Sequence, residues 1–316
     1  MLKVLLAFVA FLMSIFAYGQ ISEIPKYKAQ NQKLYLIPHG KSSDRKSLVN
    51  EAADNDVSDD GGSDELASKN IAFTTKGDDS PVTKADHAAH KVIAAGLSRI
   101  APEIPQLSEE GEIPSFEARS TWTQYWLIDP LDGTKEFINR NGEYTVNIAL
   151  IDNHQPVLGI VYVPVKKVFY YGVKGQGSWK KSSAGVTLIA SRKVSEADQV
   201  KIVASRRHGA EEVEKMISEA EKAFGSVEKV NMGSSLKICM LADGSADWYP
   251  RLALTSEWDT AAAQAVLEAA GGVIYDDKFN RLECNRKDSM LNPYFHAVAD
   301  GSYDWQGLVE RALVSR

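Results

Sequence analysis

The chain has 316 residues, 44% of them hydrophobic and 25% charged, with a formal net charge of -6 and a pI near 5.6. That length and composition suit one large domain or two closely packed ones, with ample chain for a core. They exclude a nucleic-acid polymer as the main partner, which would need a basic surface, but not a small anion held by local cations or metal ions.

Met1 to Gln20 holds one lysine, then an apolar run, then Ala17-Tyr18-Gly19. This is the form of a secretory signal peptide or membrane anchor, although about 14 apolar residues is short for a span. No later segment is long and apolar enough to cross a bilayer. Residues 21–76 read as an irregular region, with the aspartate-rich stretch Asp54–Asp64 as a solvated loop.

Thr83 opens a helix whose apolar stripe is Ala85, Ala88, Ala89, Val92, Ile93 and Leu97, ending before Pro102 and Pro105. A strand from Tyr125 stops at Asp129, where Pro130 breaks the ladder. Runs at Tyr144–Ile151, Val157–Val163 and Val168–Tyr171, joined by short polar connections, read as an antiparallel meander. Beyond them, strands at Val200–Ala204 and Val227–Val230 alternate with helices at Ala210–Phe224, Leu236–Ala242 and Thr260–Ala270. The last helix is closed by Gly271-Gly272. Cys239 and Cys284 have no metal-site spacing and read as small apolar fillers.

Chemistry concentrates in Asp129-Pro-Leu-Asp132-Gly133-Thr134, where a strand runs into a tight turn. Two carboxylates converging there repel unless cations neutralise them, and oxygen ligands suit Mg²⁺. The N–H groups from Gly133 onward offer an anion site if the next segment is helical. Asp259 precedes an alanine-rich helix and reads as its N-cap or as a carboxylate facing a cation. Glu109 belongs to an acidic pair that reads by itself as solvated, and Thr83-x-x-Asp86 is a capping box on spacing alone.

Pro81-Val-Thr-x-Ala-Asp86, Ser-Glu109-Glu, Asp129-Pro-Leu-Asp-Gly-Thr-Lys-Glu-Phe137 and Trp258-Asp-Thr-Ala-Ala262 follow one another in this order. In this the chain resembles the inositol monophosphatase superfamily over about Ile71 to Phe295, and Lys135-Glu136-Phe137 leans towards its bacterial 3′(2′),5′-bisphosphate nucleotidases of the CysQ type. The resemblance implies an α+β fold, a layered α-β-α-β-α sandwich, with a metal-binding part at 77–195 and a substrate-binding part at 196–316. It implies two or three Mg²⁺ ions held by Glu109, Asp129, the Leu131 carbonyl, Asp132 and Asp259. Asp86 and Thr134, with Glu109, would activate the attacking water. Gly133, Thr134 and Asp259 would border the substrate, and Ser234 and Lys237 match a Ser-x-x-Lys element for a second phosphate. His208 and Arg251 are further candidates for substrate contact.

The chain departs from the family pattern at Lys41 to Asn70, where only Leu48–Ala53 could belong to the expected first helix. The expected reaction is hydrolysis of 3′-phosphoadenosine 5′-phosphate to AMP and phosphate, with Mg²⁺ required and Li⁺ inhibitory by the resemblance. An inositol- or sugar-phosphate phosphatase is the enzymatic alternative, and an impaired metal- or nucleotide-binding protein the alternative of another class. The expected partner is a small phosphate monoester in the cytoplasm, with the N-terminus offering membrane association at the inner membrane or export.

Overall fold

The computed structural model describes residues 73–75, 81–196, 198–204 and 211–314. The signal-like start, the Asp54–Asp64 stretch and the Leu48–Ala53 fragment therefore lie outside the described residues, as does His208. Among the described residues no helix is long and apolar enough to cross a membrane.

A short antiparallel pair, β1 (Phe73–Thr75) and β2 (Pro81–Thr83), leads into α1 (Lys84–Ile100). Thr83 caps α1, and the side chain of Asp86 returns to the Thr83 backbone, so the expected capping box is present. The buried stripe of α1 is narrower than its apolar residues suggest. Ile93, Gly96 and Leu97 are buried, whereas Ala88 is exposed and Val92 is 44% exposed. Those two sit on the flank of the helix turned from the sheet, where an alanine or valine costs little.

Seven strands form the larger sheet in chain order: β3 (Gln106–Ser108), β4 (Gln124–Asp132), β5 (Thr145–Asp152), β6 (Gln155–Val163), β7 (Val168–Val173), β8 (Gly177–Ser182) and β9 (Gly185–Ile189). From β4 onward the order is an antiparallel meander, while β3 joins β4 in parallel. Between β3 and β4 lies the short α2 (Phe116–Arg119), and after β4 comes α3 (Thr134–Ile138). The second half supplies β10 (Val200–Ala204), α4 (Glu211–Phe224), β11 (Val227–Asn231), α5 (Leu236–Ala242), β12 (Trp248–Arg251), α6 (Glu257–Ala270), β13 (Val273–Asp276), β14 (Phe295–Val298) and α7 (Trp305–Val314). Its sheet has the order β11-β10-β12-β14-β13.

The layers follow from which faces are apolar. Tyr125, Leu127, Ala149 and Val161 of the large sheet share one core with Ile238 and Leu241 of α5, Ala262 and Val266 of α6, and Ile274 and Ala297 of the smaller sheet. Helices α5 and α6 therefore lie between the two sheets. On the far side of the smaller sheet, Val200, Ile202, Trp248 and Val298 pack on Val213 and Ile217 of α4 and Leu308 and Val309 of α7. Helix α1 packs against β4. The result is the expected α-β-α-β-α sandwich.

Helix α6 lies unusually close to the large sheet. A Cβ on Gly159 of β6 would stand 2.0 Å from the Ala262 carbonyl oxygen, and one on Gly172 of β7 would stand 2.7 Å from the Val266 Cα. Only glycine lets two backbones approach so closely. The contact fixes where the N-terminus of α6, and with it Asp259, meets the end of β4.

Candidate active site

Strand β4 does not stop at Asp129. It re-registers between Asp129 and Asp132 and ends by pairing Asp132 with Thr145 of β5. Pro130 sits inside that irregularity, where the ladder needs no N–H, which is why it does not end the strand. Asp129 Oδ1 accepts a 2.9 Å hydrogen bond from the Leu131 N–H, stiffening the bulge. Gly133 follows with a φ of +94°, a left-handed conformation that suits glycine, and α3 begins at Thr134.

Three other elements bring their carboxylates to this bulge. The parallel pairing of β3 with β4 extends one residue further, through a 3.1 Å bond from the Glu109 N–H to the Ile128 carbonyl, and sets Glu109 beside Asp129. The acidic pair is therefore not simply solvated. Asp259 is not the N-cap of its helix: Ser256 is, α6 starts at Glu257, and Asp259 closes a capping box by accepting from the Ser256 N–H at 2.8 Å. Glu257 and Trp258 complete the first turn, so the helix begins earlier than alanine content suggests. Ligand oxygens of Asp129, Asp132 and Asp259 all lie within 4.8 Å of one another.

Asp86 joins from the start of α1 and divides its two oxygens between tasks. Oδ2 accepts the Thr83 N–H at 2.9 Å, whereas Oδ1 accepts the Thr134 hydroxyl at 3.1 Å. The capping and the catalytic readings of Asp86 are thus compatible. The Thr134 hydroxyl is also 3.4 Å from the Leu131 carbonyl oxygen.

The electrostatics mark the cluster as incomplete without a cation. Burial pushes the Asp129 carboxyl well above the usual carboxylate range, and the charges of Glu109, Asp132 and Asp259 push it further. Burial raises Asp259 likewise, with Asp132 adding to it. Asp132 is raised by burial but less freely, because Lys237 and donors from Ser235 and Asn147 favour its charged form. Oδ2 of Asp129 is buried with no hydrogen-bond donor. A carboxyl oxygen that is buried and donorless, among three more carboxylates, fits a hard divalent cation, which would favour the charged form that burial opposes.

Next to the cluster lies a cleft of about 200 Å³, shared at its wall by Asp132 and Asp259. Gly133, Ser234, Lys237, Tyr249 and Arg251 also line it. Ser234 has a φ of +48°, which turns the chain between β11 and α5. Lys237 is 8% exposed, its ammonium 3.4 Å from the Met232 carbonyl oxygen and 5.5 Å from the centre of the Tyr249 ring. Burial depresses its pKa to about 8, against the attraction of Asp132. Arg251 donates to the Leu254 carbonyl at 3.1 Å, and its Nε is buried without an acceptor.

Two site residues stand in no motif, Thr145 and Asn147, and they meet Ser235, whose place in the Gly233-Ser234-Ser235 turn suggests a phosphate contact but whose N–H and hydroxyl go instead to Asp132 and Asn147. All are buried, and all join the hydrogen bonds around Asp132. The signal was the Thr-Val-Asn opening of an otherwise apolar strand, which puts two polar side chains on one face at a period of two.

A sequence model of the inositol monophosphatase family matches residues 47–303. The chain belongs to the inositol monophosphatase family. The 3′(2′),5′-bisphosphate nucleotidase CysQ of Salmonella typhimurium is 46% identical over 230 residues, which are 73% of this chain and 90% of that one. The enzyme of the same name from Escherichia coli K12 is 45% identical over 227 residues, 72% of this chain and 89% of its own. Among solved structures, CysQ from Bacteroides thetaiotaomicron, a bacterial member of the inositol monophosphatase family, matches with a TM-score of 0.64 and 43% identity. It covers 71% of this chain and 86% of that one.

Proposed function

We propose that the protein is a Mg²⁺-dependent 3′(2′),5′-bisphosphate nucleotidase that hydrolyses 3′-phosphoadenosine 5′-phosphate to AMP and phosphate. The observation that carries this reading is the buried Lys237, set with Arg251 in the cleft that opens from Asp132 and Asp259. A substrate with one phosphate at the carboxylate cluster and another in this cleft would give the buried ammonium an anion to meet. An inositol phosphate with a single phosphate would leave it without one. The similarity to the CysQ nucleotidases supports the same choice.

Glu109, Asp129, Asp132, Asp259 and the Leu131 carbonyl would hold two or three Mg²⁺ ions. When bound, these supply positive charge to the transferring phosphoryl group and acidify the attacking water. The protein's own groups orient that water. Because the Thr134 hydroxyl donates to Asp86, its lone pairs are left to accept from the water, and the proton passes by way of Thr134 to the Asp86 carboxylate. The water oxygen then bonds to phosphorus as the bond from phosphorus to the 3′-oxygen breaks, that oxygen takes a proton from bulk water, and Asp86 returns its own to solvent. Gly133 and Thr134 border the phosphate, while Ser234, Lys237 and Arg251 hold the second one. In this reading residues 77–195 form the metal-binding part and 196–316 the substrate-binding part, with Asp259 crossing from the second to the first. A nucleotide substrate sets the reaction in the cytoplasm.

The test is phosphate release from 3′-phosphoadenosine 5′-phosphate and from inositol 1-phosphate, with Mg²⁺, with and without Li⁺. The bisphosphate should be hydrolysed far faster, only with Mg²⁺, and Li⁺ should inhibit. Preference for inositol 1-phosphate would overturn the substrate; no release from either by folded protein would overturn the activity.

A further inference from the structure

Asp132 touches both the cation cluster and the loop that enters the cleft, and its hydrogen bonds are distributed unevenly. Among the described residues, every donor that reaches its carboxylate goes to Oδ2: the Ser235 N–H and the Asn147 amide N–H at 3.4 Å, with the Thr145 hydroxyl also 3.4 Å from it. Oδ1 is left for a ligand. The donors are themselves bound together. The Ser235 hydroxyl donates to Asn147 Oδ1 at 2.8 Å and lies 2.9 Å from the Thr145 hydroxyl. Thr145 is 0% exposed, Asn147 1% and Ser235 3%, so no solvent can replace these bonds. Ser235 is also flanked by Ser234 and, two residues on, by Lys237, which line the cleft.

Such a buried network has few intermediate arrangements. If Ser234 and the head of α5 with Lys237 shift, Ser235 moves with them, and the Asn147 carbonyl and the Asp132 carboxylate each lose a buried donor. We infer that Ser235, Thr145 and Asn147 are positioning residues that bind the metal ligand Asp132 and the cleft loop into one unit, so that Mg²⁺ binding at the cluster and anion binding in the cleft strengthen each other. The coupling must be reciprocal, because it is a property of one shared state. This inference rests on the reading of the cleft as the second-phosphate site. It adds that an anion in the cleft is felt by the metal ligand through Ser235.

The experiment is calorimetric and needs no turnover. AMP, which carries only the 5′-phosphate, is titrated into the full chain with and without Mg²⁺. In the wild type Mg²⁺ should tighten AMP binding at least about fivefold, the lower end of the usual range for coupled sites. In Ser235→Ala, AMP should still bind the metal-free chain, but the tightening should fall below about twofold. Thr145→Val keeps the shape of the side chain and should behave the same way, whereas Thr145→Ser, which keeps the hydroxyl, should restore the wild-type tightening. That rescue separates positioning from a general loss of packing. Tightening in folded Ser235→Ala and Thr145→Val equal to that of the wild type would overturn the inference while leaving the nucleotidase reading intact. Failure of AMP to bind the wild type in either condition would overturn the cleft assignment, and the inference with it.

Discussion

The uneven surroundings of the two Asp132 oxygens make a sharp test of its role. Asp132→Asn keeps the volume and can keep an acceptor for Ser235, but it removes the charge that a cation needs. It should lower kcat/KM by more than about 100-fold, the upper end for losing even an outer-shell partner of a metal, with the circular dichroism spectrum unchanged. Wild-type activity in that variant would remove Asp132 from the metal ligands. Lys237 makes a different prediction, because burial brings its pKa down to about 8. The protonated form attracts an anion, so kcat/KM for the bisphosphate should fall as pH rises through about 8. Adenosine 3′-phosphate, which lacks the second phosphate, should lose much less over the same range. Equal losses for the two substrates would mean that Lys237 does not meet the 5′-phosphate.

At the scale of elements, the site depends on how closely α6 lies on the large sheet. Gly159→Ala would set a methyl group against the Ala262 backbone at 2.0 Å, and backbone cannot swing aside as a flexible side chain can. The variant should lose about 3 kcal/mol or more of stability in urea denaturation, the upper end for overpacking. Its Mg²⁺ requirement should also rise, since Asp259 rides on the displaced helix. Stability equal to the wild type would mean that α6 is free to stand off the sheet. What the sequence made legible here follows the strength of local patterns. The meander, helix α1 and the helix closed by Gly271 each carry many periodic residues and were readable. Short strands such as β12, β13 and β14 have four residues each, too few for a period to emerge, and they take their form from neighbours distant in the chain. The same contrast holds in the site. Asp129, Asp132 and Asp259 stand in specific motifs, whereas Thr145 and Asn147 gain meaning only when β5 lies beside β4 and Ser235 arrives from α5. Even Pro130 misleads locally, since a break in the ladder and a bulge within it look alike until the partner strand is in place.

For the whole molecule, several buried carboxylates must coexist in one fold, and their cost varies with pH. Asp129 and Asp259 have folded pKa values well above those of the unfolded chain, as does Glu257, raised to about 7 by burial. A carboxyl of this kind takes up its proton more readily when folded. Its contribution to stability is complete in acid and is lost as pH rises through the folded value. His296 acts in the opposite direction: burial lowers its pKa to about 4, so stability is lost as pH falls from the ordinary histidine value towards 4. In EDTA the melting temperature should therefore decline as pH is raised from about 5 to about 7, the range set by Glu257, with Asp129 and Asp259 adding to the decline because burial raises them as well. Mg²⁺ at the cluster would neutralise the first two but not Glu257, which is not among the three clustered carboxylates and instead accepts the Asn285 N–H at 2.8 Å. The Glu257 contribution is common to both conditions, so the gap between the Mg²⁺ and EDTA melting curves reports the cluster alone. That gap should widen steadily with pH and should shrink in Asp129→Asn, which removes the most deeply buried of the charges. A gap independent of pH in the wild type would mean that the carboxylates do not need a cation to ionise, and that the cluster is held by the fold rather than by metal.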